Sequence, residues 1–298
     1  MLKRSRRDGT LVKNVPPFTA LMPYLMPDKK GSAIFYEQDL DITDTLAYIK
    51  KVNRVLIKKR EILTLFEVVL CAALRAVVFR PRLNRFISGC KYYQRNQLIL
   101  SFVAKREITD EGEEMNIKMP LEPDETLESL ARKVKTAVKE ATLGNGQENK
   151  QVVDAFAKLP HTLLKFLSKA MVWVDQHNLM PYSVTQSDPM YSTVFLANVG
   201  SFGLDAPFHH LFEWGNSPIF LAVGNVRTER ILDAEGKVQE RKKLRLRYTF
   251  DDRIADGVYM SKALGLVQKF VEHPEELSTP PEIPEALLAE LNLRPSSQ

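Results

Sequence analysis

The chain has 298 residues, of which 44% are hydrophobic and 27% charged, and its formal net charge is +5. This composition is ordinary for a globular protein and excludes a disordered or fibrous chain. The length allows a core that needs no covalent staples. The two cysteines are too few for a disulfide framework, which indicates a reducing, cytoplasmic location.

The N-terminus is basic, but it carries no secretory or membrane signal. No apolar stretch follows the basic segment Met1–Arg7. The longest apolar run, Leu65–Phe79, contains Glu67 and Arg75 and is shorter than the roughly 20 residues that a membrane helix needs. No aromatic residues alternate with the basic ones. We therefore expect residues 1–14 to be a solvated, frayed arm that binds neither nucleic acid nor a membrane.

The first 80 residues predict one strand and two helices. Four prolines within residues 15–27 argue against a long helix there. Ala33–Ile42 has the pattern of a strand and leads into a helix that ends near residue 59. The segment Thr64–Phe79 opens with a capping box and is apolar nearly all round, so the helix it forms should be buried.

The middle of the chain alternates short strands with helices. Polar loops and turn residues separate the patterns. The predicted strands are residues 91–95, 98–105 and 115–119, and the predicted helices are residues 124–143, 148–158 and 161–177.

The last third is richer in strands and ends in one helix. Apolar and basic residues alternate over residues 243–250, which predicts a strand with one apolar face, and Asp233–Gly236 is typical of the hairpin turn before it. Strands and helices alternate without a linker between residues 30 and 275, which favours one α/β domain. The other predicted elements are strands at 193–197, 219–223 and 227–232 and a helix at 258–272.

The segment after the last predicted strand carries a resemblance to a known family. Asp251, Arg253, Asp256 and Gly257 match the pattern D-H-R-x-x-D-G. This pattern resembles the signature of the dihydrolipoamide acyltransferase cores of 2-oxo acid dehydrogenase complexes, which share the fold of chloramphenicol acetyltransferase. Asp252 stands where that family has its catalytic histidine.

Further segments match the same family in the same order. Phe195–Gly203 resembles the family's T-I-S-N-L-G-x-x-G, so Asn198 and Gly200 match, whereas the serine that hydrogen-bonds the oxyanion falls on Ala197. The ordered matches extend over roughly residues 15–275. The other matching segments are Glu37–Thr43, Glu67–Asn84 and Ser217–Gly224.

The resemblance implies a two-layer α/β sandwich in which helices pack on a mixed sheet, and a homotrimer that can assemble further into a cage. It implies an active-site channel between subunits, where coenzyme A exchanges an acyl group with a dihydrolipoyl thiol. Coenzyme A or acyl-CoA is the expected ligand, and other dehydrogenase-complex subunits are the expected partners. No metal, covalent cofactor or lipoyl domain is expected. The channel residues are Asn198, Gly200, Arg253 and Gly257.

Two groups that the chemistry requires are missing from the matched positions. Histidine, with a pKa of about 6.5, suits thiol deprotonation, whereas an aspartate of pKa about 3.9 is a poor base for a thiol near about 8.5. An oxyanion donor, absent at Ala197, is typically worth about 10² to 10³ in rate. We therefore expect a catalytically degenerate subunit that acts as an oligomeric scaffold or binds coenzyme A or an acyl ligand.

Alternatives for an active enzyme remain open. Asp252 with a raised pKa, or a relocated His209 or His210, could be the base. The resemblance further implies that Asp256 makes a structural ion pair that shapes the active-site turn. The hydroxyl group that hydrogen-bonds the oxyanion, missing at Ala197, could come from Ser192, Thr193 or Ser201.

The C-terminal tail is separable from the core by its composition. We assign residues 15–277 to the core and residues 278–298 to a proline-rich tail with a short amphipathic helix. So short a helix is marginal alone and needs a surface to bury its leucines. Two surfaces remain open, a neighbouring trimer, as in the resembled cages, or the tail's own subunit. The proposed contact residues are Leu287, Leu288, Leu291 and Leu293.

Overall fold

A mixed β-sheet positions the other elements of the fold. The structure, a computed structural model, describes residues 6–59, 61–105, 109, 112–143 and 158–294. The described strands are β1 (Gly9–Leu11), β2 (Ala33–Asp41), β3 (Arg85–Ser88), β4 (Lys91–Arg95), β5 (Leu98–Lys105), β6 (Glu114–Leu121), β7 (Val194–Asn198), β8 (Ile219–Leu232) and β9 (Val238–Asp251). Among the described residues the main sheet has six strands in the order β2-β9-β8-β7-β5-β6, and a smaller sheet has the order β1-β4-β3. The central strands β5, β7 and β8 are parallel and their outer neighbours are antiparallel.

Helices cover the apolar face of the main sheet, which confirms the predicted two-layer α/β sandwich. The 3₁₀ turns in the described chain are Ile57–Lys59, Pro81–Asn84, Val199–Phe202 and Pro274–Leu277. The described helices are α1 (Pro17–Leu25), α2 (Thr43–Leu56), α3 (Leu65–Phe79), α4 (Leu127–Leu143), α5 (His161–Gln176), α6 (Tyr182–Ser187), α7 (Gly257–Glu272) and α8 (Glu285–Leu291). The predicted helix 148–158 lies outside the described residues.

Helix α3 is the centre of the core. Thr64 and Glu67 form the predicted capping box, and every residue from Val68 to Val78 is buried. Leu244 and Leu246 of β9 belong to the same apolar cluster. This arrangement follows from the sequence, because a helix that is apolar all round must be enclosed on every side. In the described part of the chain, no helix has both the length and the apolar composition to cross a membrane.

An irregular segment, residues 203–217, lies on the opposite face of the main sheet. Arg247 of β9 donates a hydrogen bond to the carbonyl oxygen of Ala206, and Thr249 donates one to that of His209. A second, smaller apolar cluster forms where Leu211 meets Phe220 on this face. The 203–217 segment therefore covers the face that α3 leaves open.

Two strand predictions need correction. The predicted strands 219–223 and 227–232 are one strand, β8, with an irregularity between Val223 and Val226. The second correction concerns the N-terminal arm, in which the sequence predicted no strand. The N-terminal segment, expected to be frayed, contains a strand, since β1 pairs with β4. Arg6 is buried and forms ion pairs with Asp8 and Asp175, both at 2.8 Å. For the described residues of this segment the frayed-arm prediction is wrong, because Arg6 pairs with Asp175, which lies 169 residues away in the sequence.

The C-terminal tail packs on its own subunit. Leu291 of α8 is fully buried in the main core, and Leu293 packs against that core. Arg85 forms an ion pair with Glu290 at 3.1 Å, and the N–H of Arg294 donates a hydrogen bond of 2.9 Å to Asn96. Of the two surfaces left open by the sequence, the structure therefore selects the tail's own core.

The four leucines predicted to contact a neighbouring trimer differ in how deeply they are buried. Leu291 is fully buried in its own core, so its assignment to an oligomer contact is wrong, whereas Leu293 is half-buried and its assignment stays a prediction. Leu287 is half-buried, and Leu288 is 41% exposed. Only Leu288 of the four presents a large apolar surface to solvent.

We predict that Leu291→Ala destabilises the protein by about 2–5 kcal/mol, because it removes a fully buried side chain and leaves a cavity. Leu288→Ala on the same helix is the matched control and should change the free energy of unfolding by about 0.5 kcal/mol or less. Denaturant unfolding of the two variants measures the difference. Equal, small effects would show that the tail does not contribute to the core.

Candidate active site

The turn after β9 is built on a buried ion pair. The Nε and Nη2 atoms of Arg253 donate to the two carboxylate oxygens of Asp251, both at 2.7 Å, and both residues are buried. Arg253 also donates through Nη1 to the carbonyl oxygen of Met26 at 2.8 Å. A bidentate pair of this kind fixes the direction of the guanidinium as well as its charge. The turn is therefore tied rigidly to the segment that follows α1.

Asp256 has a different role from the one expected. Its Oδ1 atom accepts a hydrogen bond of 2.9 Å from the N–H of Tyr259, so Asp256 is the N-cap of α7. Within the described residues it has no ion-pair partner, and the structural ion pair of the turn is made by Asp251. The ion pair expected of Asp256 is not among the contacts of the described residues, and the helix backbone holds its carboxylate instead. Next to it, a Cβ on Gly257 would meet only the Tyr36 hydroxyl, at 3.9 Å, so space at this end of the turn is open.

Asp252 is the carboxylate of the turn that has no assigned partner. Its backbone N–H donates a hydrogen bond of 2.8 Å to the carbonyl oxygen of Ser32, which anchors the main chain. None of the described residues donates a hydrogen bond to its half-buried side chain. Burial, followed by the negative charges of Asp251 and Asp256, raises the pKa of Asp252 above its ordinary value. The carboxyl group therefore holds its proton more tightly than an exposed aspartate does.

Ala197 lies in an apolar part of β7. It pairs with Val103 of β5 on one side and with Ala222 of β8 on the other. Its side chain packs against the smaller apolar cluster that includes Phe195 and Phe220. The position therefore offers no hydroxyl group for an oxyanion.

The hydroxyl groups considered as replacements are mostly engaged elsewhere. Thr193 is buried and donates to the Asn84 side chain at 2.6 Å, and Ser192 is buried and faces the Ser217 hydroxyl at 3.3 Å. Ser201 is exposed and donates to the carbonyl oxygen of Asn198 at 2.7 Å. Ser201 is the only one of the three that solvent can reach at the end of β7.

Close backbone packing shapes the turn after β7. A Cβ on Gly200 would overlap the backbone oxygen of Gly224, so this position requires glycine. Gly203 has a φ of 79°, and its carbonyl oxygen accepts a hydrogen bond of 3.1 Å from the Asn225 side chain. The structure thus brings Ala197, Asn198 and Gly200 together, while Asp252, Arg253 and Gly257 share the turn after β9.

The two histidines lie on the sheet face that carries Ala197. The His209 ring stacks on Phe220 with 3.9 Å between ring centroids, and Phe220 pairs in register with Phe195 of β7. The Nδ1 atom of His209 is 2.7 Å from the carbonyl oxygen of His210. Burial lowers the pKa of His209, which favours the neutral ring. In that state Nδ1–H donates to the carbonyl and Nε2 keeps its lone pair.

A cavity of about 220 Å³ borders the Arg253 side of the turn. Its walls include Pro23 of α1, Cys90 of the β3–β4 turn and Trp214 of the 203–217 segment. Buried Lys29 also lines it, donating through Nζ to the carbonyl oxygens of Phe212 at 2.8 Å and Gly215 at 2.6 Å. Burial lowers the pKa of Lys29 to about 8.

Sequence reasoning missed this cavity, because its walls come from segments far apart in the chain. Lys29 lies in a short polar stretch, Pro27–Gly31, that is typical of an ordinary loop. Arg253 is the one predicted channel residue that reaches the cavity wall. No local spacing in the sequence distinguishes the other lining residues.

The carboxylates of this region do not form a metal site. Asp251 is neutralised by Arg253, and Asp256 caps α7. Among the residues that the structure describes, no group of three or more histidine, cysteine, aspartate or glutamate side chains converges as metal ligands.

A family model matches the part of the chain that contains both turns. Residues 176–279 match the 2-oxoacid dehydrogenases acyltransferase (catalytic domain). A search of the curated proteins finds no match to this chain.

Solved structures extend the likeness to most of the chain. The cubic core of the pyruvate dehydrogenase multienzyme complex has a TM-score of 0.58 at 13% identity and covers 89% of this chain and 93% of its own. An Azotobacter vinelandii dihydrolipoamide acetyltransferase, investigated for the role of a serine, a histidine and an asparagine in its catalytic mechanism, has a TM-score of 0.56 at 14% identity, covering 89% and 93%. A chloramphenicol acetyltransferase has a TM-score of 0.51 at 13% identity, covering 89% and 98%. The recognised acyltransferase-core resemblance is therefore confirmed, by the family model over residues 176–279 and by the fold over most of the chain.

We predict that Asp252→Asn makes the protein more stable at pH 7 than the unchanged protein, with a smaller difference near pH 4. A raised folded-state pKa means that the ionised form is disfavoured in the fold, so stability falls as pH rises above the ordinary value of 3.8. The asparagine variant lacks this fall. Denaturant unfolding at several pH values between 4 and 8 measures it.

The matched control is Asp233→Asn in the β8–β9 hairpin, because the pKa of Asp233 is shifted in the opposite direction to that of Asp252. Backbone hydrogen bonds, first that from Lys237, lower the pKa of Asp233. The stability that ionised Asp233 contributes is present at pH values above its ordinary pKa and is lost as the pH falls. The Asp233→Asn variant should therefore lose stability at pH 7. An Asp252→Asn variant that behaves like the control would disprove the raised pKa.

Proposed function

We propose that this protein is an acyltransferase-core subunit that has lost the transfer reaction and acts as an oligomeric scaffold that binds coenzyme A or an acyl ligand. The observation that carries the proposal is the chemistry at the two matched turns. Asp252 occupies the position of the base, and Ala197 occupies the position of the oxyanion donor. Both changes act in the same direction, since thioester transfer needs a proton acceptor and a charge-stabilising donor.

The geometry around Asp252 argues against a simple substitution of one base for another. Arg253, the nearest cation in the sequence, is fully engaged with Asp251 and Met26 and does not assist the Asp252 carboxyl. An aspartate side chain is shorter than an imidazole, and proton transfer requires hydrogen-bond contact. The raised pKa of Asp252 narrows the gap between the pKa of its carboxyl and that of a thiol, which is about 8.5.

The cavity beside Arg253 supports retention of a ligand. It combines apolar and aromatic walls from Pro23, Ile87 and Trp214 with the buried cations Lys29 and Arg253. Pockets of this mixed composition suit a ligand with an apolar body and a polar carbonyl or amide group. An acyl group joined to the amide-bearing arm of coenzyme A has this character.

We also propose that the chain forms a homotrimer, able to assemble into a cage, with helix α1 at a subunit contact. Large contiguous apolar surfaces on soluble proteins mark interaction sites. The cubic core of the pyruvate dehydrogenase complex, whose fold this chain shares, supports a multi-subunit assembly. Other 2-oxo acid dehydrogenase subunits are the proposed further partners, and the free thiols of Cys71 and Cys90 support a cytoplasmic location. The exposed large apolar residues of α1 are Phe18 (71%), Leu21 (55%), Tyr24 (68%) and Leu25 (67%).

A second candidate function is an active acyltransferase whose base is His209. The favouring observation is the 2.7 Å contact of His209 Nδ1 with the His210 carbonyl oxygen, which leaves Nε2 free to accept a proton. The ring lies on the same sheet face as Ala197. For this second function, the oxyanion donor would be the exposed hydroxyl of Ser201 at the end of β7.

We predict that the protein does not transfer acetyl groups from acetyl-CoA to dihydrolipoamide above the uncatalysed rate. The doubly restored variant Asp252→His/Ala197→Ser should gain at least about 10²-fold, since each restored group is typically worth about that much. Chromatographic quantification of the coenzyme A released from acetyl-CoA measures the rates, because the total number of free thiols does not change in this transfer.

The outcomes of this assay separate the candidate functions. Robust turnover by the unchanged protein would refute the scaffold function. If His209→Gln then abolishes that turnover while Asp252→Asn preserves it, His209 is the base. An inactive protein together with an inactive restored variant would indicate that the acyl pocket itself is lost.

We predict that the double variant Phe18→Ser/Leu25→Ser shifts the protein from a trimer to a monomer, because it replaces two of the four large apolar residues that α1 exposes. Light scattering coupled to size exclusion measures the mass. Leu232→Ser, at the tip of the β8–β9 hairpin and 69% exposed, is the control and should leave the mass unchanged. An unchanged mass in both variants would place the contact elsewhere.

A further inference from the structure

A second cavity lies beside the N-terminal segment, and neither turn described above lines it. Its volume is about 320 Å³. One wall is the segment Arg6–Asp8, and the other is the loop Asn178–Tyr182 together with Thr185 of α6. Arg6 lines this cavity, and its ion-pair partner Asp175 lines the cavity beside Arg253. The ion pair therefore stands between the two cavities.

From this geometry we infer that the cavity between Arg6–Asp8 and Asn178–Tyr182 binds a phosphate-bearing ligand, with Arg7 as its principal contact. The phosphates can belong to coenzyme A or to a free nucleotide. The coenzyme A source depends on the proposed function, whereas the phosphate site does not.

Arg7 is the cation of this cavity that a ligand can engage. Its side chain is exposed, and within the described residues it forms no ion pair. Its guanidinium lies over the Tyr182 ring, 5.8 Å from the centroid, and its backbone carbonyl accepts a hydrogen bond of 2.9 Å from Asn96. The main chain of Arg7 is thus held in place while the guanidinium remains available. A guanidinium presents paired donors that match the oxygens of a phosphate.

The acidic residue in the wall does not oppose an anion, because its charge is already balanced. The Asp8 carboxylate accepts hydrogen bonds from Arg6 Nε at 2.8 Å and from Asn216 Nδ2 at 3.0 Å. Burial raises the pKa of Asp8, but the hydrogen bond and charge of Arg6 and the charge of Arg95 outweigh it and keep the pKa below its ordinary value. Arg95 itself is fully buried, and its Nη1 atom has no hydrogen-bond partner in the described chain. The surroundings therefore hold more donors and positive charge than the two acidic partners neutralise.

The size and lining of the cavity select the ligand class. A volume of about 320 Å³ exceeds what a single small carboxylate fills, and most of the lining groups are polar. The half-buried Tyr182 ring adds an aromatic surface beside the guanidinium. A phosphate joined to a larger organic group uses both features, since the ring can stack on a planar group while Arg7 holds the charge.

The test is calorimetric titration of the full chain with inorganic pyrophosphate, ATP, coenzyme A and phosphate-free pantetheine. We expect pyrophosphate and at least one of the two larger phosphates to bind. Arg7→Gln should weaken that binding about tenfold or more, because it removes a charge-assisted hydrogen bond. Binding of pantetheine should not change. Arg54→Gln, an exposed arginine of α2 that lines neither cavity, is the control and should have no effect.

A second variant keeps the inference falsifiable if Arg7→Gln alters folding. Tyr182→Leu removes the ring beneath the guanidinium and should weaken ATP or coenzyme A several-fold, with a smaller effect on pyrophosphate. Melting temperatures of both variants report any loss of fold.

The outcomes separate the site from the proposed function. Pyrophosphate and ATP binding that is lost in Arg7→Gln, without coenzyme A binding, supports the phosphate site and counts against the proposed coenzyme A ligand. Coenzyme A binding that Arg7→Gln leaves unchanged overturns the site while the proposed ligand stands. Failure of every phosphate probe to bind the unchanged protein overturns the site outright.

Discussion

The register of strand β9 is the constraint on which the candidate active site depends. Leu244 and Leu246 are buried in the apolar core that encloses α3, while Arg245 and Arg247 alternate with them on the other face. A slip of one residue would exchange the two faces and bury the arginines against an apolar helix, so burial fixes the register strongly. The ion pairs of the arginines with Asp39 and Glu37 of β2 lie at the surface and contribute little by comparison. Because the register is fixed, the turn that begins at Asp251 has one position in the fold.

The same turn shows how a site can keep its shape without its chemistry. Its rigidity comes from the bidentate Asp251–Arg253 pair, and breaking such a pair would leave a buried charge without compensation. Asp252 contributes only its backbone N–H to that framework, so its side chain is free to change without loss of the fold. The shape of the turn therefore does not indicate whether the protein is a catalyst. The identity of the side chain at position 252 is the informative feature.

Sequence reasoning succeeded where the deciding interactions are local or periodic. The capping box of Thr64 and the all-round apolar pattern of α3 were sufficient to predict a buried helix, and the hairpin turn at Asp233–Gly236 follows from residues within four positions of one another. It failed where partners lie far apart. The ion pair of Arg6 with Asp175 spans 169 residues, and no pattern near Arg6 in the sequence points to Asp175 as its partner. The roles of Asp251 and Asp256 were confused for a related reason, since both are acidic and only geometry shows which one meets the guanidinium.

The Arg6–Asp175 pair also connects the two cavities physically. A buried charge pair of this kind resists separation, because either charge alone would be stranded in an apolar medium. Arg6 further donates to the hydroxyl of Ser88 at 2.8 Å and to the carbonyl oxygen of Asp175 at 2.9 Å, which joins the N-terminal segment to β3 and to the end of α5. The N-terminal segment and the wall of the cavity beside Arg253 are therefore in direct contact through Asp175. The segment that composition alone suggests is a frayed arm is the physical link between the two cavities.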